Sequence, residues 1–241
     1  MQQHPLRQHR RVLLASMVGT TIEYYDFFIF GTAAALFFGP LFFPSHDPAM
    51  ATLLSFMTFG VAFVARPFGA ILFGHFGDRV GRKSPLVASL LLMGASTLAI
   101  AFLPTYAEAG WLAPALLCLL RVGQGLGLGG EWAGASLLAV ENAPDGWGGR
   151  FGSAPQLGVP AGFILSNGLF LVLGLKLGNA EMAQWGWRVP FLVSAVLVAV
   201  GLWMRLKLTE TADFRKAMEN DAPERVPILR LLREYPGALI A

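Results

Sequence analysis

Charged side chains are scarce in this chain, and their scarcity excludes most classes of soluble protein. Asp, Glu, Lys and Arg make up 14% of the 241 residues, while hydrophobic residues make up 55%. A soluble domain usually carries about 25% charged residues. The formal net charge of +3 does not indicate a nucleic-acid-binding surface, because the cations are scattered in the links between long apolar runs. The composition therefore predicts a membrane protein.

Cysteine is nearly absent, and so are the signatures of common catalytic sites. The single Cys118 lies within an apolar run, which leaves no disulfide within the chain and no cysteine-based metal site. Neither H-E-x-x-H nor G-x-S-x-G occurs. The histidines are not clustered in sequence: His4, His9, His46 and His75. We therefore expect no enzyme, no metal and no cofactor.

One stretch has the spacing of a cofactor motif. Gly125, Gly127 and Gly130 are spaced as in a dinucleotide-binding loop, but no strand precedes them and they lie in an apolar run. Glycines at such spacing let membrane helices approach closely. We therefore interpret them as helix-packing positions.

Six apolar runs are each long enough to cross a hydrocarbon core of about 30 Å as a helix. Their predicted bounds are 12–38, 50–74, 84–104, 112–139, 152–175 and 188–208. When residues at the ends of runs are counted with the adjacent side, 14 of the 18 Lys and Arg residues fall on one predicted side, 2 on the other and 2 deep within the runs. Because cytoplasmic segments collect cations, both termini are expected in the cytoplasm. The chain then consists of a basic tail (1–11), a six-helix bundle (12–208) and a cytoplasmic segment leading toward a further membrane helix (209–241).

A polar stretch from Gly74 to Lys83 separates the second and third runs. Its shortness predicts a tight turn between two membrane helices at the cytoplasmic face. Ser84 and Pro85 follow it, as N-cap and first helical residue of the third span. A generic cation-rich loop would also suit this place.

The first run contains two acids near its middle, Glu23 and Asp26. Three residues apart on a helix, they share one face. A charge at this depth costs about 2.5–3.5 kcal/mol and needs a partner or a hydrated cavity. One hypothesis is that they carry protons beside a solute cavity, with Asp26 the better candidate because it is deeper. The alternative is that a neighbouring arginine holds them permanently for packing.

Two arginines also lie inside apolar runs. Arg66 lies about 12 Å from the end of the second run, too deep to reach water easily. It either contacts solute or pairs with one of the acids. In the fourth run, Arg121, Gln124 and Glu131 fall on one helical stripe, which is typical of a polar cavity wall. Arg121 stays protonated and can bind a carboxylate or influence an acid nearby.

The fifth run contains Pro155 and Pro160, which predict a bent helix. Gln156 and Asn167 on it either touch solute or bridge helices. Trp185, Trp187 and Arg188 lie at the start of the sixth run and are typical of anchors at the outer membrane interface.

The polar stretch resembles the signature loop of the major facilitator superfamily, G-x-x-x-D-R-x-G-R-K. Every fixed position is filled: Gly74, Asp78, Arg79, Gly81, Arg82 and Lys83. The segments around Asp26, Arg66, Arg121, Glu131 and Trp185 are similar to the metabolite:proton symporter family, nearest its shikimate-permease branch. The resemblance implies proton-driven uptake of a small polar metabolite, such as an organic acid or shikimate-like solute, by alternating access. The signature loop would then act in gating.

The resemblance also implies an all-α membrane protein whose six-helix bundle is the N-terminal half of a major facilitator fold. The expected partners are a small metabolite, protons, the lipid bilayer and a missing C-terminal six-helix half, with no nucleic acid. The expected location is the bacterial inner (plasma) membrane, as a multi-pass protein. The alternative hypothesis is a six-span chain that acts as a passive channel or assembles with a second chain.

Overall fold

A computed structural model describes residues 10–45, 47–80, 83–141, 143–144 and 146–206, with side chains omitted at 10–12, 78–80, 131–139 and 141. These residues form helices joined by short links. The helices are α1 (Arg10–Ala33), a π-helical segment (Ala34–Phe38), α2 (Gly39–Phe42), α3 (Pro48–Val80), α4 (Lys83–Ile100), α5 (Tyr106–Ala109), α6 (Leu112–Glu141), α7 (Gly148–Gln156), α8 (Gly158–Lys176), α9 (Asn179–Gln184), a 3-10 turn (Gly186–Arg188) and α10 (Val189–Leu206).

The six predicted spans are confirmed. Among the described residues, six helical stretches are long and apolar enough to cross a membrane: Leu13–Phe42, Pro48–Gly77, Lys83–Ile100, Leu112–Gly130, Gly148–Lys176 and Gly186–Leu206. Helices are the local solution for such sequences, because hydrocarbon offers backbone N–H and C=O groups no other partners. The tail, the segment from 207 onward and His46 lie outside the described residues.

The helices pack around α6, which contacts α3, α4 and α1, while α10 packs on α4 and α1, and α8 packs on α1. Glycines set the α3–α6 distance. A Cβ built on Gly69 would lie 2.7 Å from the Leu126 carbonyl carbon, and one on Gly129 would lie 2.8 Å from the Ala70 nitrogen. The two backbones are therefore in direct contact, as the glycine spacing predicts.

An aromatic cluster fills the bundle at the end of the first span. Phe38, Phe42 and Phe191 surround Trp187, with ring centroids 5.4, 5.9 and 6.1 Å from it. Trp187 is fully buried, so its predicted role as an interfacial anchor is wrong. Trp185 is half exposed and keeps that interpretation. The 3-10 turn causes the difference, because it directs neighbouring tryptophans to different sides.

The predicted turn at residues 74–83 is mostly helix. α3 has 33 residues, or about 50 Å, and its last turns extend past a 30 Å hydrocarbon core as far as Val80. Only positions 81 and 82 lie outside the described residues before α4 begins at Lys83. Ser84 is therefore inside the first turn of α4 and is not the N-cap, although Pro85 still falls where a missing N–H costs little.

Capping contacts fix the ends of several helices. Asp47 Oδ1 accepts a hydrogen bond from the Ala49 N–H at 2.9 Å and caps α3. Thr105 N–H donates to Glu108 Oε2 at 2.7 Å, and this bond lowers the pKa of the Glu108 carboxyl. Lys83 Nζ donates to the Leu206 carbonyl at 2.7 Å, which ties the start of α4 to the end of α10.

Two irregularities interrupt the spans. In the π-helical segment, the Ala34 carbonyl accepts a hydrogen bond from Ser55 Oγ at 2.9 Å. α3 therefore supplies a partner at the point where the regular α-helical hydrogen bonding of the backbone is interrupted. The fifth span divides at Leu157 into α7 and α8. Pro160 has no N–H to offer the Gln156 carbonyl, which explains the break.

Candidate functional site

The candidate site is a pair of adjoining hollows between α1, α3 and α6, which α4 also borders. The inner cavity has about 20 Å³, room for roughly one water molecule. The outer hollow has about 490 Å³. Glu23, Phe63, Arg66 and Leu128 line both, so the two are continuous; Asp26, Arg121 and Gln124 line only the inner one. The acids and arginines predicted from separate spans thus share one site.

Asp26 lies at the inner end and is held by two hydroxyl groups. It is 3% exposed. Ser194 Oγ of α10 donates to Oδ1 at 2.5 Å, and Thr97 Oγ1 of α4 donates to Oδ2 at 2.7 Å. Hydroxyl donors stabilise a buried carboxylate without adding charge.

Arg121 is held more completely than any other cation in the site. It is 3% exposed. Its Nη1 donates to Gln124 Oε1 at 2.8 Å and its Nε donates to the Thr58 carbonyl at 3.3 Å. Its guanidinium carbon lies 3.7 Å from the Phe30 ring centroid and 4.8 Å from that of Phe59. Cation–π contact with two rings compensates part of the desolvation cost of this buried charge.

A hydrogen-bond chain joins Arg121 to Asp26. Gln124 accepts from Arg121 and donates through Nε2 to Thr97 Oγ1 at 2.8 Å, and Thr97 donates to Asp26. The Thr97 hydroxyl also lies 3.0 Å from the Met93 carbonyl. Because a hydroxyl has one proton, it can donate to Asp26 or to Met93 but not to both. A protonated Asp26 can therefore donate to Thr97, which then turns its proton to Met93, so both states of Asp26 have partners.

Arg66 and Glu23 form the entrance from the outer hollow. Glu23 is 5% exposed, and it lies near enough to interact electrostatically with Arg66. Arg66 is half-buried, with its guanidinium carbon 4.6 Å from the Phe63 ring centroid and 5.8 Å from that of Phe27. Its Nε is buried and has no hydrogen-bond partner within the described part of the chain.

Other predicted site residues lie apart from these hollows. Gln156 is exposed at the end of α7 and lines neither hollow. Asn167 bridges helices, since its Oδ1 accepts from Thr32 Oγ1 of α1 at 2.9 Å. The roles predicted for Gln156 and for the gating loop stay predictions. The side chain of Glu131 lies outside the described part of the chain, and so do those of several gating-loop positions: Asp78, Arg79, Gly81 and Arg82.

Apart from Gln124, the partners of Asp26 and Arg121 could not be recognised in the sequence. Thr97 and Ser194 are hydroxyl residues in apolar runs, a weak signal because such residues often bond to their own helix. The aromatic faces of Phe30 and Phe59 gave no signal among 19 phenylalanines. Over the described residues, no group of three or more His, Cys, Asp and Glu is placed to hold a metal ion.

Comparison with known proteins identifies the relatives of this chain. Residues 12–224 match the family described as "Sugar (and other) transporter". The inner membrane metabolite transport protein YhjE of Escherichia coli is 53% identical over 96% of this chain and 52% of its own length. The shikimate transporter of Escherichia coli is 43% identical over 98% of this chain and 54% of its own length. The proline/betaine transporter of Salmonella typhimurium is 36% identical over 88% of this chain and 42% of its own length.

Solved structures agree on the fold. The xylose transporter XylE of Escherichia coli, in a partially occluded inward-open conformation, superposes with a TM-score of 0.75 at 18% identity, over 92% of this chain and 53% of that one. A D-xylose-proton symporter superposes with a TM-score of 0.72 at 19% identity, over 95% and 55%. The chain thus spans about half the length of the relatives it matches, and its helices have the major facilitator arrangement.

Proposed function

This chain belongs to the sugar (and other) transporter family of the major facilitator superfamily, and we propose that it forms half of a proton-coupled symporter that takes up a small polar metabolite by alternating access. The family and these relatives are transporters, not enzymes. We further propose an organic acid or shikimate-like compound as the solute. The residues in direct contact with solute and proton would come from α1, α3 and α6.

One observation carries the proposal: Asp26 is buried beside a cavity and has hydrogen-bond partners that suit both its charged and its neutral form. Ser194 and Thr97 donate to the carboxylate, while Met93 offers the Thr97 hydroxyl a second acceptor. The Met93 carbonyl is the i−4 acceptor that threonines in helices commonly use, so Thr97 can turn its proton to it without a change in the backbone. Intramembrane acids with such partners are typical of proton relays.

The names of the relatives support the solute class. Shikimate, proline and betaine differ in ring, charge and size, but each carries a carboxylate. The site has two arginines, Arg66 and Arg121, to meet such a group. A binding role for Gln124 and Glu131 and proton coupling at Glu23 belong to the same proposal.

We also propose that both termini face the cytoplasm of a bacterial inner membrane. The distribution of cations along the chain supports this orientation, and the relative YhjE is named as an inner membrane protein. A second six-helix unit would close the open side of the outer hollow, because major facilitator sites lie between two halves.

The test measures accumulation in proteoliposomes that hold the transporter expressed from its complete reading frame. An imposed gradient of two pH units is worth about 2.7 kcal/mol per proton, which supports about 100-fold accumulation for one proton per solute. With the membrane potential clamped at zero, we expect Asp26→Asn to bring radiolabelled shikimate to equal concentrations inside and outside. Counterflow exchange without a gradient should persist, because it needs no net proton movement.

The matched control is Asp47→Asn, the same change at an exposed acid that caps α3 outside the site. It should accumulate solute like the wild type. Full accumulation by Asp26→Asn would refute coupling at this acid. A wild type that only equilibrates shikimate, whatever gradient is imposed, would favour the passive channel instead.

A further inference from the structure

We propose that Arg66 is the residue that binds the carboxylate of the transported solute, with its guanidinium set against the Phe63 ring at the wall shared by the two hollows. The inference rests on the proposed transport function. It assigns the two arginines of the site different tasks: Arg121 supports the proton site, and Arg66 takes the anionic group of the solute.

Arg66 has a buried Nε donor without a partner among the described residues, whereas the Nε of Arg121 is already bonded. Arg121 already donates to Gln124 and to the Thr58 carbonyl, and two aromatic rings cover it. A guanidinium has five N–H donors, and in the described residues the buried Nε of Arg66 uses none of its capacity. A buried donor without a partner costs free energy, so a ligand oxygen that accepted a hydrogen bond from Nε would bind favourably.

The surroundings of Arg66 suit a small carboxylic acid. The outer hollow of about 490 Å³ lies within the range of about 300–1,000 Å³ typical of small-molecule sites. Tyr24, Phe63, Pro67 and Leu128 provide mostly apolar walls, and Glu23 is the acid beside Arg66. Once a second six-helix unit covers the open side, the solute anion would meet Arg66 with little competing water. Low local polarity strengthens the attraction between a guanidinium and a carboxylate.

Phe63 fixes the direction of the guanidinium. The ring lies 4.6 Å from the guanidinium carbon and covers one face, which leaves the N–H edge for the ligand. A carboxylate can accept two parallel hydrogen bonds from such an edge, whereas an ammonium group cannot offer this geometry. The inference therefore predicts that lysine replaces Arg66 only in part.

The experiment measures equilibrium binding to the detergent-solubilised, full-length transporter with no proton gradient. The probes are radiolabelled shikimate, 2-oxoglutarate and glycine betaine, each compared with its methyl ester. For the acid that binds best, we expect Arg66→Gln to raise Kd at least about 10-fold and Arg66→Lys to raise it less, while the already weak binding of the ester stays unchanged. Arg150→Gln is the matched control, since Arg150 is exposed and stacks on Trp147 outside the site.

Each other outcome overturns the inference. Wild-type affinity in Arg66→Gln would show that Arg66 does not bind the acid, and an equal loss for acid and ester would show a structural role. No binding of any of the three acids to the wild type would exclude the proposed solute class. If Arg66→Gln does not fold, Arg66→Lys decides through its ratio of acid to ester affinity. Because no proton gradient is applied, uncoupled transport would refute the proposed symport and leave this binding result standing.

Discussion

The close packing of α3 on α6 through glycines predicts that adding a single methyl group at this contact will destabilise the protein. Replacing Gly69 with alanine adds a Cβ that would lie 2.7 Å from the Leu126 carbonyl carbon and Cα, and nearer still to the carbonyl oxygen. Carbon atoms pack best at about 3.5–4.0 Å, so the two helices must separate by at least about 0.8 Å at this point. The contact cannot be relieved by turning a side chain aside, because the three nearest atoms all belong to the α6 backbone.

Moving α3 and α6 apart should lower the stability of the bundle, because other contacts between the two helices depend on their close approach. Overpacking of a close interior typically costs about 1–3 kcal/mol. Gly60→Ala is the matched control on the same helix, since its Cβ would meet nothing within 4 Å. Alanine is about 0.8–1.0 kcal/mol better than glycine inside a helix, so the control should be neutral or slightly stabilised. Because Gly69→Ala gains the same helix propensity, the two variants should differ by the overpacking cost alone, about 1–3 kcal/mol.

The assay heats the detergent-solubilised protein and records the temperature at which half of it leaves the monodisperse gel-filtration peak. We expect Gly69→Ala to lose several degrees and Gly60→Ala to lose none. Equal midpoints for the two variants would refute the conclusion that direct backbone contact sets the α3–α6 distance. A loss in Gly60→Ala alone would contradict both the packing argument and the helix-propensity argument.

Two further predictions test the polar chain and the aromatic cluster. Thr97→Val removes the hydroxyl between Gln124 and Asp26 and should slow gradient-driven uptake at least about 10-fold. Thr97→Ser keeps the hydroxyl and should retain most of the uptake rate. Equal rates for the two variants would contradict a role for the hydroxyl. Trp187→Ala removes a fully buried side chain and should cost about 3–5 kcal/mol in thermal unfolding, whereas Trp185→Ala, half exposed, should cost much less; similar losses would contradict their different burial.

The spans could be predicted because helix formation in a bilayer is a local matter. Twenty apolar residues satisfy their backbone groups within themselves, whatever the rest of the chain does. The errors lay where a local pattern was ambiguous. The charged stretch after Phe73 looked like a turn, but α3 continues through it to Val80, since a helix can leave the membrane without ending. Trp187 looked like an anchor because burial depends on its neighbours and not on its position next to a span.

The sequence by itself predicted six membrane-spanning runs with acids and arginines inside them, because composition and helical spacing are properties of single segments. Only the tertiary structure decided that Asp26 meets Thr97 and Ser194, and that Arg121 is enclosed while Arg66 keeps a free donor in the described part of the chain. These partners come from helices far apart in sequence. Which faces meet depends on how the helices rotate and approach, and that is set by the small residues at their crossings.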